Sequence, residues 1–205
     1  MMSRANRIVT VLTAGLLASA SLSALAEVTR DPAQVQGGEF AVDGNHTQIG
    51  FTLSHFGLSD FSGRLAGVSG TLSLQTANIS ASKLSVSVPT ASFSTPVDKL
   101  SEELRGADWF DADKYPTITF TSTKVTQTGK DSATIAGDLT LHGVTKPVTL
   151  TAHLVGAGEN PINKKYTVGF DATGTVKRSE FGVTKYLPLV GDEVEVTLHG
   201  AFERK

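Results

Sequence analysis

The sequence predicts an all-β domain with one short helix, built as an antiparallel barrel or a sandwich. Beyond residue 38, apolar and polar residues alternate, most clearly in residues 48–55, where Ile49, Phe51 and Leu53 share one parity. The alternating segments follow one another at nearly regular spacing through short turns, and only one segment has helical periodicity. A strand with one apolar face must cover that face, so such strands pack as two sheets or close on themselves.

The first 26 residues have the layout of a secretory signal peptide. Arg4 and Arg7 precede a mainly apolar stretch, residues 8–17, and Ala24-Leu25-Ala26 supplies the small residues that cleavage requires. A membrane anchor is less favoured, because the apolar stretch is shorter than the ~20 residues that span a bilayer. The sequence therefore predicts a signal peptide at 1–26 and one exported domain at 27–205.

Composition limits the function classes. The chain has no cysteine, so an exported domain must be stabilised by its core rather than by disulfides. Its 18 basic and 20 acidic residues give a net charge of -2, with no basic run. This balance argues against an electrostatic nucleic-acid binder, and we expect no nucleic-acid partner.

Nine segments are predicted as strands, and one as a helix. In the long third strand, predicted over residues 61–74, the positions of the apolar residues shift by one across Ala66-Gly67, which predicts a β-bulge there. Asp98 is suited to cap a helix over residues 98–105, which Gly106 would end, and we expect this helix to cross one end of the sheet. The predicted strands are 39–43, 47–55, 61–74, 83–88, 117–125, 133–141, 144–155, 166–172 and 194–202.

The candidate chemical groups do not form a recognised catalytic or metal-binding motif. By parity, His142, His153 and His199 point outward, His46 lies in a turn, and only His55 continues an inward row. No histidine pair has metal-ligand spacing, and no serine lies in a nucleophile elbow. We therefore expect no metal, and an enzyme is not favoured, although an acid and a base from distant segments stay open. For His55 two interpretations stay open: a polar contact to a ligand, and a buried histidine hydrogen-bonded to a neighbour.

Four blocks of sequence resemble the signatures of the YceI family, in the family's order. Each block by itself is moderately specific, and together they span most of the predicted domain. The blocks are VDGNHTQIGF (42–51) with His55 and FSGRL (61–65), WFDADKYPTITF (109–120), GDLTLHGVTKPV (137–148) and KRSEFG (177–182).

The resemblance implies a lipocalin-like antiparallel β-barrel of about eight strands with a short helix at one end. It also implies export to the periplasm and a long isoprenoid lipid, of the quinone or prenyl diphosphate type, in the barrel interior. No other cofactor is implied, and a homodimer is left open. Two alternatives remain: an enzyme acting on such a lipid, and a solidly packed structural or stress-response module.

On this interpretation the inward-facing apolar residues would contact the lipid tail. A few polar residues would contact its head group. Each tail residue has core packing as an alternative role. Arg178 could pair with a diphosphate or carbonyl oxygen, or form an ion pair with a turn carboxylate such as Asp111. The expected head contacts are His55, Arg64, Asp111 and Arg178. The expected tail contacts are Ile49, Phe51, Leu53, Phe120, Leu139, Leu141, Val168 and Phe170.

Overall fold

The computed structural model describes residues 27–205, which form ten strands and one α-helix. The predicted signal peptide at 1–26 lies outside the described residues. No helix within 27–205 is long and apolar enough to cross a membrane. The elements are β1 (Gly38–Val42), β2 (Gln48–His55), β3 (Ser59–Leu65), β4 (Ser69–Leu74), β5 (Lys83–Pro89), α1 (Asp98–Arg105), β6 (Thr117–Gln127), β7 (Ser132–Leu141), β8 (Val144–Glu159), β9 (Tyr166–Lys177) and β10 (Glu193–Arg204).

The strands form one antiparallel sheet that closes into a barrel. Two short strands share one edge of β10: β1 pairs with residues 202–204 of β10, and β2 pairs with residues 195–199. Their partners β4 and β3 occupy the next position, so ten strands fill eight positions around the ring. The pairing of β1 with both β4 and β10 closes the ring. The barrel is confirmed, and the sandwich alternative is excluded.

The predicted bulge at Ala66-Gly67 is instead a complete break between two strands. β3 ends at Leu65 and β4 begins at Ser69, with Gly67 at φ +69° between them. The parity shift in the sequence was therefore real, but the chain leaves the sheet there rather than bulging within it. The register shifts of the barrel lie elsewhere, between Ser122 and Lys124 and between Leu154 and Gly156.

The two ends of the barrel differ in what covers them. At the helix end lie α1 and the turns 56–58 and 142–143, and Leu104 of α1 packs against the core cluster that includes Phe51 and Phe93. The opposite end, called the far end below, carries the turns 128–131 and 160–165 and the N-terminal segment. α1 ends at Gly106 as predicted, but it is Val97 that occupies the N-cap position, and Asp98 is the first helical residue.

Inward-facing glycines give aromatic rings room to lie against the barrel wall. The ring of Phe120 lies over Gly137 of the neighbouring strand: a Cβ added there would be 2.4 Å from Phe120 Cζ and 2.6 Å from the Thr121 carbonyl oxygen. Gly63 receives the ring of Phe51 in the same way. Each ring therefore occupies the space that a side chain at position 137 or 63 would need, and lies close to the wall.

We expect Gly137→Ala to lower the free energy of unfolding by about 1–3 kcal/mol, because the added methyl overlaps both the ring and the backbone. Gly200→Ala is the matched control, and we expect a smaller loss there, because its Cβ would lie 3.0 Å or more from the Phe202 ring and 3.7 Å from the Phe170 carbonyl oxygen. Urea unfolding of both variants measures the difference. Equal losses would contradict the assigned close contact at Gly137.

Candidate ligand-binding cavity

The barrel encloses an apolar cavity of about 580 Å³. This volume falls within the ~300–1,000 Å³ that is usual for small-molecule sites. Every strand contributes to the wall, because the inward residues of a closed barrel all face the same space. One lining residue from each strand in turn is Val42, Ile49, Leu65, Leu72, Val86, Phe120, Leu139, Leu150, Phe170 and Val196.

The inward residues of β10 show that the interior is open. Val194, Val196 and Leu198 are only half-buried, although they face inward and alternate with exposed outward residues. In a solidly packed barrel such side chains would be fully buried. The cavity therefore contradicts the alternative of a solidly packed module.

Seven of the eight residues predicted to contact a lipid tail line this cavity. The exception is Val168, which has no exposed surface and packs with Val35, Phe40 and Phe202 in a core cluster at the far end. β8 and β9 extend past the start of β7 there, and the N-terminal segment covers them, so Val168 is in solid core. The seven lining residues are Ile49, Phe51, Leu53, Phe120, Leu139, Leu141 and Phe170.

Three of the four residues predicted to contact a head group lie outside the cavity wall. β2 makes its last pair with β10 at Thr52, so His55 projects beyond the wall, where its ring lies 4.0 Å from that of Phe56. Arg64 is exposed. Asp111 is half-buried in the turn after α1, where its backbone N–H donates to the Gly106 carbonyl. Parity placed His55 inward, but it could not reveal where the neighbouring strand ends.

Arg178 does line the cavity, but its guanidinium is already occupied. It is buried, and four N–H groups donate to backbone carbonyls at 2.7–3.0 Å: Nε to Gly191, Nη1 to Val183 and Lys185, and Nη2 to Val190. The side chain therefore holds the loop 183–191 against the helix end. Asp111, the carboxylate predicted as its alternative partner, is not among these contacts.

The carboxylate nearest to Arg178 is Asp192 rather than Asp111. Ser179 donates to it through its backbone N–H at 2.8 Å and its hydroxyl at 2.7 Å. Burial acts to raise the pKa of Asp192, but the Ser179 hydrogen bonds and the charges of Arg178 and Lys177 hold it below its ordinary value. Burial lowers the pKa of Arg178, and the charge of Asp192 opposes this. An arginine stays protonated despite such a shift, so both groups are charged.

One of the three histidines expected to point outward is instead partly buried. Nδ1 of His142 lies 3.0 Å from the Phe181 carbonyl oxygen, and its ring packs on Tyr115. His142 occupies the two-residue turn after β7 with φ 51°, so strand parity no longer applies to it. His153 and His199 are exposed, as predicted. Within residues 27–205, no group of three His, Asp or Glu side chains is arranged to hold a metal ion.

The cavity reaches the surface at the far end and is closed at the helix end. Exposed polar residues line it at the far end: Lys83, Gln127, Lys130 and Asp131. None of the lining residues at the helix end is exposed: Leu104, Trp109, Phe110 and Arg178. The exposed polar side chains of the wall are therefore gathered at the far end.

The sequence interpretation missed two groups of lining residues. Trp109 and Phe110 follow α1 and form the floor with Arg178, whose guanidinium lies 5.5 Å from the Trp109 ring centroid. The indole N–H of Trp109 is buried and has no hydrogen-bond partner among the described residues. Pro32 and Val35 line the far end from a segment that lacks strand periodicity. The adjacent aromatic residues after the helix were the available signal for the floor, whereas the N-terminal residues carried none.

Comparison with known proteins gives one consistent family. Residues 40–202 match the sequence profile of the YceI-like domain. A UPF0312 protein of Ectopseudomonas mendocina is 40% identical over 167 residues, which cover 80% of this chain and 87% of the relative. Protein YceI of Shigella flexneri is 38% identical over 156 residues, covering 76% and 81% of the two chains.

Solved structures share the fold. The crystal structure of Burkholderia cenocepacia BcnA matches with a TM-score of 0.70 and 25% identity, covering 78% of this chain and 98% of BcnA. A polyisoprenoid binding domain from Saccharophagus degradans, implicated in plant cell wall breakdown, matches with a TM-score of 0.60 and 15% identity, over 83% and 100% of the two chains. At that identity the second match shows the fold alone.

We expect Arg178→Met to destabilise the protein by about 2–4 kcal/mol, because several buried carbonyls lose their donor at once. Chemical denaturation followed by the fluorescence of Trp109, the chain's only tryptophan, measures this loss. Lys177→Ala is the control on the adjacent, exposed residue, and we expect a change within about 0.5 kcal/mol. If Arg178→Met were as stable as the control, the guanidinium would not be what holds the loop.

Proposed function

The chain belongs to the YceI-like family, and we propose that it is a carrier or sequestering protein that binds a long-chain isoprenoid lipid inside its barrel. The observation that carries the proposal is the apolar cavity, which is lined by aliphatic and aromatic side chains from all ten strands and is open at one end. The Saccharophagus degradans domain, described as polyisoprenoid-binding, has the same fold. The seven predicted tail residues in the wall are the proposed tail contacts.

The physical case rests on burial of the tail. Removing a methylene from water contributes roughly 0.8 kcal/mol, so a tail of several isoprene units offsets the cost of association without strong polar contacts. The inward residues of β10 retain accessible surface that a ligand would cover. A branched, flexible tail suits this wall because its side chains are mainly aliphatic and aromatic, and the indole N–H of Trp109 at the floor is the exception.

The far end supports a neutral head group of the quinone type over a prenyl diphosphate. Two basic side chains at or beside the opening, Lys83 and Lys130, are balanced by two acidic ones, Asp131 and Asp31, and Lys130 is already paired with Asp31 at 3.3 Å. Arg178, the remaining cation of the cavity wall, is engaged by backbone carbonyls. A diphosphate would lose hydration here without gaining a matching cluster of cations.

The proposal includes export to the periplasm and a role without catalysis. The signal peptide layout of residues 1–26 supports export. The apolar wall supports binding rather than turnover, because His55 and Asp111, two candidate acid or base groups, lie outside it and its carboxylate, Asp131, lies at the exposed rim. Catalysis on the lipid would require such a group within reach of it.

Filling the cavity from one wall tests the proposal directly. We expect Ala172→Phe, which adds a ring inside the barrel, to weaken binding of a C20 prenyl alcohol by about tenfold or more, equivalent to ~1.4 kcal/mol. Thr173→Phe is the matched control, because it adds the same ring to the outer face of the same strand. Titration followed by Trp109 fluorescence measures both affinities. Equal affinities, or no binding by the unmodified protein, would refute the proposal.

Head-group preference is a separate measurement. We expect geranylgeraniol to bind more tightly than geranylgeranyl diphosphate, which has the same tail, by about tenfold. Lys83→Ala/Lys130→Ala should leave the affinity for the alcohol within about twofold, because surface charges contribute little to a neutral ligand. Tighter binding of the diphosphate would contradict the neutral head group. Trp109→Phe lacks the fluorescent reporter, so its affinity is measured by isothermal titration calorimetry beside that of the unmodified protein. A loss of alcohol binding in this variant would place the hydroxyl at the helix end instead.

A further inference from the structure

The N-terminal segment crosses the opening of the cavity. We define the strap as residues 29–37. Pro32, Ala33 and Val35 of the strap line the cavity at the far end, next to the exposed residues of its rim. Pro32–Gln34 form a short 3₁₀ turn, which the Asp31 side chain caps by accepting from the Ala33 N–H at 3.3 Å. The strap is therefore an ordered part of the cavity wall.

The strap is attached at its two ends and at its middle, and the contacts differ in strength. At its C-terminal side, Val35 is buried in core, and Arg204 donates to the Gln36 side chain at 2.7 Å and to the Gly37 carbonyl at 3.0 Å. At its N-terminal side, Thr29 makes an isolated two-hydrogen-bond bridge with Ala157 of β8, at 2.8 Å in each direction.

Among the hydrogen bonds and ion pairs of the described residues, a surface ion pair is what links the middle of the strap to the opposite rim. Asp31 lies 3.3 Å from Lys130, in the turn between β6 and β7, and the Lys130 side chain is 79% exposed. An ion pair this exposed contributes little to stability. Residues 29–34 can thus leave the rim by breaking one bridge and one weak pair, while the core contacts from Val35 onward stay intact. Segments with few buried contacts are the ones that open locally.

We propose that residues 29–34 are the gate of the cavity, and that the ligand passes between strap and rim when the Thr29–Ala157 bridge opens. This inference rests on the proposed function. The helix end offers no comparable passage, because Arg178 holds its loop through four hydrogen bonds and Phe110 stacks on Phe93 at 4.1 Å. The gate sets the rates of loading and release more than the affinity.

A disulfide across the bridge tests the gate. Residues directly opposite in an antiparallel pair have Cα atoms within disulfide range, and the chain has no cysteine of its own. Full-length Thr29→Cys/Ala157→Cys is loaded with geranylgeraniol in the reduced state and oxidised. Release to excess phosphatidylcholine vesicles is then followed by Trp109 fluorescence. We expect release to slow by about tenfold or more on oxidation and to recover on reduction.

The matched control is Thr151→Cys/Thr173→Cys, an exposed pair on the outer faces of β8 and β9, which should release the alcohol at the same rate in both redox states. As a second variant without a crosslink, Asp31→Ala/Lys130→Ala should speed release by about twofold or more. Unchanged release from the oxidised strap variant would overturn the gate while the proposed function stands. Absence of binding in every variant, including the unmodified protein, would overturn both.

Discussion

The constraint on which this structure depends is that apolar faces pointing into an eight-position barrel must be covered by something. The closing pairs between β1 and β10 bring ten inward rows around one space, and side chains of ordinary size can just fill such a space. Here they do not fill it, because rings such as that of Phe120 are folded onto inward glycines such as Gly137. The uncovered apolar wall that remains is the candidate site.

The two ends of the barrel differ, so the pocket has one closed end and one open end. Arg178 closes the helix end by taking four backbone carbonyls, and Trp109 and Phe110 complete the floor beside it. A buried guanidinium used in this way holds the loop 183–191 in place. The far end is held by weaker contacts and has a polar, charge-balanced rim. Mobility is expected in residues 29–34 at the open end, whereas the core cluster around Val35, Phe40 and Val168 stabilises the rest of the far end.

Residue patterns predicted most of the cavity-lining residues named as tail contacts. They placed only one of the four predicted head contacts in the cavity wall. Seven of the eight tail residues line the cavity, because parity along a strand is a local property that survives folding. Val168 has the correct parity and still lies in solid core, because the N-terminal segment covers that end of β9. His55 also follows the parity rule, yet β2 has already left β10 before it. Arg178 was identified by position, but its carbonyl partners come from a loop whose path no local pattern encodes.

The sequence by itself determined that the domain is β-rich, where most strands and the helix lie, and which face of each strand is apolar, since these follow from periods of two and 3.6 residues. Only the tertiary structure decided that the ring closes rather than forming a sandwich, because closure depends on the pairing of β1 with β10, some 160 residues apart. It also decided that the interior is open, that one end is sealed and that the N-terminal residues lie over the other. Each of these outcomes depends on contacts between segments distant in the chain, which strand periodicity does not record.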